Sequence, residues 1–129
     1  MPLVTTALYA LVLGLIGSYL AFRAGSLRGK TGISIFYGDN QQLALEMRRH
    51  ANFTEHVPLA LILMAILELN GMTPWVLDGA GVLLVVSRVV HPIGLEADSI
   101  ANPLRGIGAG GTFLASLILM GCVAYKLVA

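Results

Sequence analysis

Two twenty-residue stretches without a single charge, Leu3–Phe22 and Gly106–Tyr125, bracket two further apolar segments that polar residues interrupt. Each uncharged stretch is long enough to cross the ~30 Å hydrocarbon core as a helix. The second segment is expected to begin near Asn40 and run to Leu69, with its polar residues in the first turns and none charged from Val57 to Leu67. Pro58 lies inside it, and neighbouring helices in a membrane bundle absorb such a break. Asn70-Gly71-Met72-Thr73-Pro74 reads as a turn and breaker cluster. A third span follows from about Trp75 to Leu95, with Asp78 near its start and Arg88 and His91 near its end. A fourth opens around Pro103, a residue suited to a first helical turn. Four helices with short connections predict an all-α, integral membrane, up-down four-helix bundle spanning 1–129 as one domain.

Composition agrees with that class. The 129 residues are 57% hydrophobic and 12% charged, with a mean hydropathy of +0.82. A soluble domain carries about twice that charged fraction. Leu3–Phe22 is too long for a signal-peptide core and lacks a basic n-region and a clear cleavage site, so it is expected to be a retained span. A net charge of +1 argues against nucleic acid and against a peripheral surface binder. The single cysteine, Cys122, excludes an internal disulfide and a multi-cysteine metal site. No metal site is expected from His50, His56 and His91 either, because they lack tight ligand spacing, and His50 and His56, six apart, point to different faces of one helix.

Basic residues set the expected orientation. The first connection is read as carrying Arg23, Arg28 and Lys30, with Arg48 and Arg49 just beyond; Arg88 and Arg105 flank the third. The second connection has no Lys or Arg, and the tail has Lys126 alone. The positive-inside rule then puts connections one and three in the cytoplasm and both termini on the other side.

Candidate chemistry gathers at that end. Arg48-x-x-x-Asn52-x-x-Glu55 has spacings of four and three, which put the three side chains on one helical face. An ionisable cluster at the mouth of a span is costly and ordinarily faces a protein interior. Simpler readings stand beside a functional one. Basic residues near helix ends snorkel to headgroups, Glu55 and Arg88 can form a structural ion pair, and His91 can cap the third helix. Gly106 and Gly110 form a GxxxG pair, and Ala10, Gly14 and Ser18 make a similar small-residue stripe; both suggest close helix packing within or between subunits.

Taken together, Arg48-x-His50-x-Asn52-x-x-Glu55, Arg88-x-x-His91 and Pro103-x-Arg105 resemble the MAPEG family, the membrane-associated proteins of eicosanoid and glutathione metabolism. The segment HANFTEHVPLALILMAILELNG is similar to the short bacterial members. The resemblance implies a homotrimer in the bacterial inner membrane, with glutathione held between subunits near the cytoplasmic side. It matches Arg48, Asn52 and Glu55 to glutathione contacts, with Arg88 and His91 as further polar partners. Arg28 is matched to a basic residue reaching glutathione from the neighbouring subunit, and Arg105 to the catalytic arginine beside the sulfur. The chain departs from the eicosanoid enzymes in three places: Leu95 stands where a tyrosine is common, Gly106 where prostaglandin E synthase has serine, and Ala51 where an arginine holds a carboxylate.

The residues themselves suit such a ligand. Glutathione offers two carboxylates, an ammonium and a thiol; Arg28, Arg48 and Arg88 offer forks for carboxylates, Glu55 a partner for the ammonium and Asn52 one for a peptide group. The expected function is a glutathione-dependent transferase or peroxidase acting on lipophilic electrophiles that enter from the bilayer. The alternatives are a non-catalytic ligand-binding scaffold of the same family, and a small exporter using Glu55 as a proton-coupled carboxylate. The arginines around Glu55 weigh against the exporter, and the presence of Arg105 weighs against the scaffold.

Overall fold

The structure is a computed structural model that describes residues 2–128; the two end residues of the expected 1–129 domain lie outside the described residues. Four helices follow in order: α1 (Val4–Thr31), α2 (Gln41–Leu69), α3 (Pro74–Gly94) and α4 (Pro103–Val128). All four are long and apolar enough to cross a membrane. The starts are where the sequence puts them, for local reasons. Asn40 accepts the N–H of Leu43 on its side-chain oxygen at 2.9 Å and so caps α2. Pro74 opens α3, and Asn102 accepts the N–H of Leu104 at the head of α4.

The first helix differs from expectation. It continues nine residues past Phe22 to Thr31, so Arg23, Arg28 and Lys30 lie on its last turns and not in the connection. Arg23–Lys30 holds no proline, and its two glycines, Gly25 and Gly29, weaken the helix without ending it. Termination waits for Gly32, whose left-handed φ of 69° lets its N–H return to the carbonyl of Arg28. At 1.5 Å per residue α1 is about 42 Å long, so its basic end projects beyond the ~30 Å apolar layer.

Each helix packs on two or three others. α1 lies against α2 and α3, α4 lies against α3 and α2, and α1 and α4 share no packing among the described residues. The helices therefore form a ring in the order α1, α2, α4, α3. Its middle is filled by Leu13, Phe53, Ala60, Met64, Leu67, Leu77, Leu84, Ala115 and Leu119, all buried. The end away from the basic residues is knitted by polar contacts. Glu68, on the last turn of α2, accepts the N–H groups of Thr5 and Thr6 at 2.8 and 2.7 Å and caps the first turn of α1. Tyr9 donates to the Asp78 carboxylate at 3.1 Å, and its ring occupies the space where a Cβ on Gly81 would stand.

Within the chain, the glycines that admit close packing are not the pair the spacing suggests. Gly106 and Gly110 have nothing near their missing Cβ atoms, and neither has Gly14. The seam between α3 and α4 is closed instead by Gly94, Gly108 and Gly111. A Cβ on Gly108 would lie 2.6 Å from the backbone of His91, and one on Gly94 would meet the backbone of Leu104 and Arg105. GxxxG spacing fixes a face of the helix but not which neighbour that face meets.

Candidate functional site

Six of the seven candidate residues stand on α2, α3 and α4 at one end of the bundle, and the local structure gives each a definite partner or space. Arg48 and Glu55 are two turns apart on α2 and join through both oxygens, Nη1–Oε1 at 2.8 Å and Nη2–Oε2 at 3.1 Å. Both are about half exposed, with side-chain accessibilities of 56% and 47%. Bidentate geometry makes this pair specific, while exposure keeps its stability contribution small. No Glu55–Arg88 ion pair forms, so that structural reading is not realised.

Arg88 is buried among the three helices instead. Its Nη1 donates to Oδ1 of Asn52 at 2.8 Å and its Nη2 to the carbonyl of Gly108 at 3.2 Å. Both forks of the guanidinium are thus engaged by the chain itself, one by α2 and one by α4. A buried arginine held by two neutral acceptors ties three helices together and fixes the Asn52 amide. His91, one turn further along α3, is buried on the seam that Gly108 opens.

Two pockets lie along the α2–α4 side of the ring. One, of about 430 Å³, is lined by Arg48 and Arg105 together with Tyr37, Gln41, Leu95, Glu96 and Asp98. The other, of about 400 Å³, is lined by Asn52, Glu55, His56 and Arg88 at its polar end and by Leu59, Phe113 and Met120 at its apolar end. The Arg48–Glu55 pair stands between them, one partner in each wall. Arg105 is half-buried on the first turn of α4, where Gly94 lets its backbone press on the end of α3. Its guanidinium makes no hydrogen bond among the described residues, and it sits at a helix N-terminus, where the dipole favours anions.

Arg28 lies apart from both pockets. Its Nη1 donates to the carbonyls of Ile33 and Phe36 at 2.9 and 3.0 Å and so folds the connection after α1 against the helix end. Phe36 takes a left-handed φ of 56° there, a conformation that costs a non-glycine residue energy unless its surroundings hold it.

One ionic group was not among the candidates. Glu46 is buried, and its Oε1 accepts from Arg23 of α1 at 2.7 Å and from Arg49 at 2.9 Å, while Arg49 also donates to the Leu95 carbonyl at 3.0 Å. The Glu46–Arg49 spacing of three was visible in the sequence as a helical pair. Among the described residues no three His, Cys, Asp or Glu side chains are placed to hold a metal ion.

A membrane-embedded bundle of four apolar helices, with an arginine-rich cluster where α2, α3 and α4 meet, defines a class of protein. The sequence matches the MAPEG family over residues 6–125, and the chain belongs to that family. It is similar to the inner membrane protein YecN of Escherichia coli K12 and to that of E. coli O6:H1, each 30% identical over 91 residues, which is 70% of either chain. No solved structure matches it.

Proposed function

We propose that this protein is a glutathione-dependent transferase of the inner membrane, acting on lipophilic electrophiles drawn from the bilayer. The observation that carries the reading is Arg105, a guanidinium without a hydrogen-bond partner among the described residues, at a helix N-terminus, in the same pocket as Arg48. A thiol has a pKa of about 8.5, so only a few per cent is ionised at neutral pH. Lowering that value by ~2 units takes about 2.7 kcal/mol of preference for the anion. One arginine hydrogen bond contributes about 1.5–3 kcal/mol, and the helix terminus adds to it.

The remaining groups suit the rest of the tripeptide. Arg48 is complementary to a carboxylate, and Glu55, which stands against it, to the ammonium. Asn52 and Glu55 present an amide and a carboxylate to the neighbouring pocket, whose apolar end suits a greasy co-substrate. In the reaction the glutathione sulfur, having lost its proton to solvent, forms the new bond to the electrophilic carbon, and the leaving group departs with its electron pair. Reduction of a lipid hydroperoxide consumes a second glutathione and releases the disulfide, the alcohol and water.

The same reading makes the protein a homotrimer with its termini outside the cytoplasm. Gly14, Gly106 and Gly110, with no neighbour at their missing Cβ atoms among the described residues, give α1 and α4 surfaces for close approach between subunits. Arg28, at the projecting end of α1, is then beside the next subunit's site.

Titrating the purified protein with glutathione while recording the ultraviolet absorbance of the thiolate tests the proposal. A chlorodinitrobenzene conjugation assay and a mass measurement in mild detergent accompany it. Saturable thiolate formation at neutral pH, turnover and a trimeric mass are expected. Binding without thiolate or turnover leaves a ligand-binding scaffold, and no binding rejects the reading.

A further inference from the structure

On the opposite side of the ring from these pockets, α1 and α3 enclose a groove of about 630 Å³ whose floor is α2. Its walls are apolar, with Leu15 and Leu20 from α1 and Val89 and Ile93 from α3, while Glu46, Arg49 and Arg88 form one polar end with Arg23 at the rim. Four buried side-chain nitrogen or oxygen atoms have no hydrogen-bond partner among the described residues. Three of the four belong to residues at that polar end: Oε2 of Glu46, Nε of Arg49 and Nε of Arg88. Leaving such groups unpaired is costly, and their coincidence at the end of one groove points to an amphiphilic occupant.

We propose that this groove binds a membrane phospholipid through a headgroup that carries a primary ammonium beside its phosphate. The two orphaned Nε–H groups are donors and call for an acceptor; the orphaned carboxylate oxygen is an acceptor and calls for a donor. A phosphate next to a primary ammonium supplies both. A free carboxylate or a headgroup with phosphate as its only charge serves the arginines but leaves Oε2 of Glu46 facing another anion. A trimethylammonium has no N–H to give.

The polar end also lies at the right depth. It sits within two turns of the start of α2 and of the end of α3, and the groove runs from Arg23 back to Leu15, about 12 Å along α1 toward mid-membrane. That is the sense in which a lipid of the same leaflet lies. A second copy of the chain is disfavoured, because an apolar helix face laid here would leave the three buried polar atoms without partners.

The test uses the detergent-solubilised full chain and native mass spectrometry, comparing phosphatidylethanolamine with phosphatidylcholine of identical acyl chains. Phosphatidylglycerol and the matching free fatty acid serve as competitors. We expect phosphatidylethanolamine to be retained about tenfold better than phosphatidylcholine, the effect of one charge-assisted hydrogen bond. Glu46→Gln should abolish that preference. Leu15→Trp, an exposed position whose substitution leaves the core intact, should weaken retention of both lipids by filling the apolar end. Equal retention of the two lipids, a preference that survives Glu46→Gln, or displacement by phosphatidylglycerol or fatty acid would each overturn the proposal. So would cross-linking between Leu15→Cys on one copy and Ile93→Cys on another, which would mean that the groove seats a second chain.

Discussion

Arg88 reaches Asn52 from the buried side of the bundle, Nη1 to Oδ1 over 2.8 Å, and this one bond gives the asparagine two separable jobs. Its oxygen satisfies a buried guanidinium, while its amide nitrogen donates to nothing else among the described residues and belongs to a pocket wall.

The two jobs can be split by substitution. Asn52→Asp keeps an acceptor for Arg88 and removes the donor; Asn52→Ala removes both and should cost about 1.5–3 kcal/mol, the worth of a hydrogen bond to a charged group. Thermal unfolding in detergent should therefore rank Asp close to the parent and Ala well below it. Glutathione affinity should fall in both variants. An Asn52→Asp protein that binds glutathione as tightly as the parent would confine Asn52 to holding Arg88.

For Glu55→Gln the expectation is the reverse. The Arg48–Glu55 pair is half exposed and screened by solvent, so its loss should leave the melting temperature nearly unchanged. Glutathione affinity should nevertheless drop by about 1.5–3 kcal/mol if the carboxylate meets the ligand's ammonium. Calorimetric titration beside a melting curve separates the two quantities.

Arg105→Ala should retain the fold, because its guanidinium bonds to nothing among the described residues. Thiolate formation at neutral pH should be lost together with most turnover, by a factor of about 25 if the arginine lowers the thiol pKa by ~2 units from about 8.5. A variant that still ionises bound glutathione as readily as the parent would move the activating role elsewhere.

The glycine seam makes a paired prediction. Gly108→Ala drives a methyl group into the His91 backbone and shifts the carbonyl that Arg88 uses, so it should destabilise by about 1–3 kcal/mol as overpacking does. Gly110→Ala meets nothing among the described residues. Its effect should show in the oligomeric mass and not in the unfolding of the bundle, and an unchanged mass would remove Gly110 from any subunit contact.

The spans and their starts were legible because a few strong local signals fix them: the breaker cluster from Asn70 to Pro74, Pro103 as a first-turn residue, and uncharged runs of membrane length. The end of α1 was not, since charge marks where a helix leaves the apolar layer and not where it stops. The candidate cluster was legible as a set of residue types, but their pairing was not. Glu55 closes on Arg48 along its own helix and Arg88 turns to a neutral amide, a choice made by how α2, α3 and α4 rotate against one another. Glu46 escaped for a related reason: its two partners come from two helices, and only one of them is near in sequence.

The carboxylate of Glu68 on the amides of Thr5 and Thr6 bears on how the protein is made. Those amides are the unpaired head of the first span, and the group that serves them is sixty-two or more residues away, at the far end of the second. During synthesis α1 therefore enters the bilayer with an unfinished terminus, left to water and headgroups until residue 68 emerges. The smallest piece of this chain that can settle in a membrane with its first helix complete is the α1–α2 hairpin, and a translation product ending before Glu68 lacks the latch that closes it.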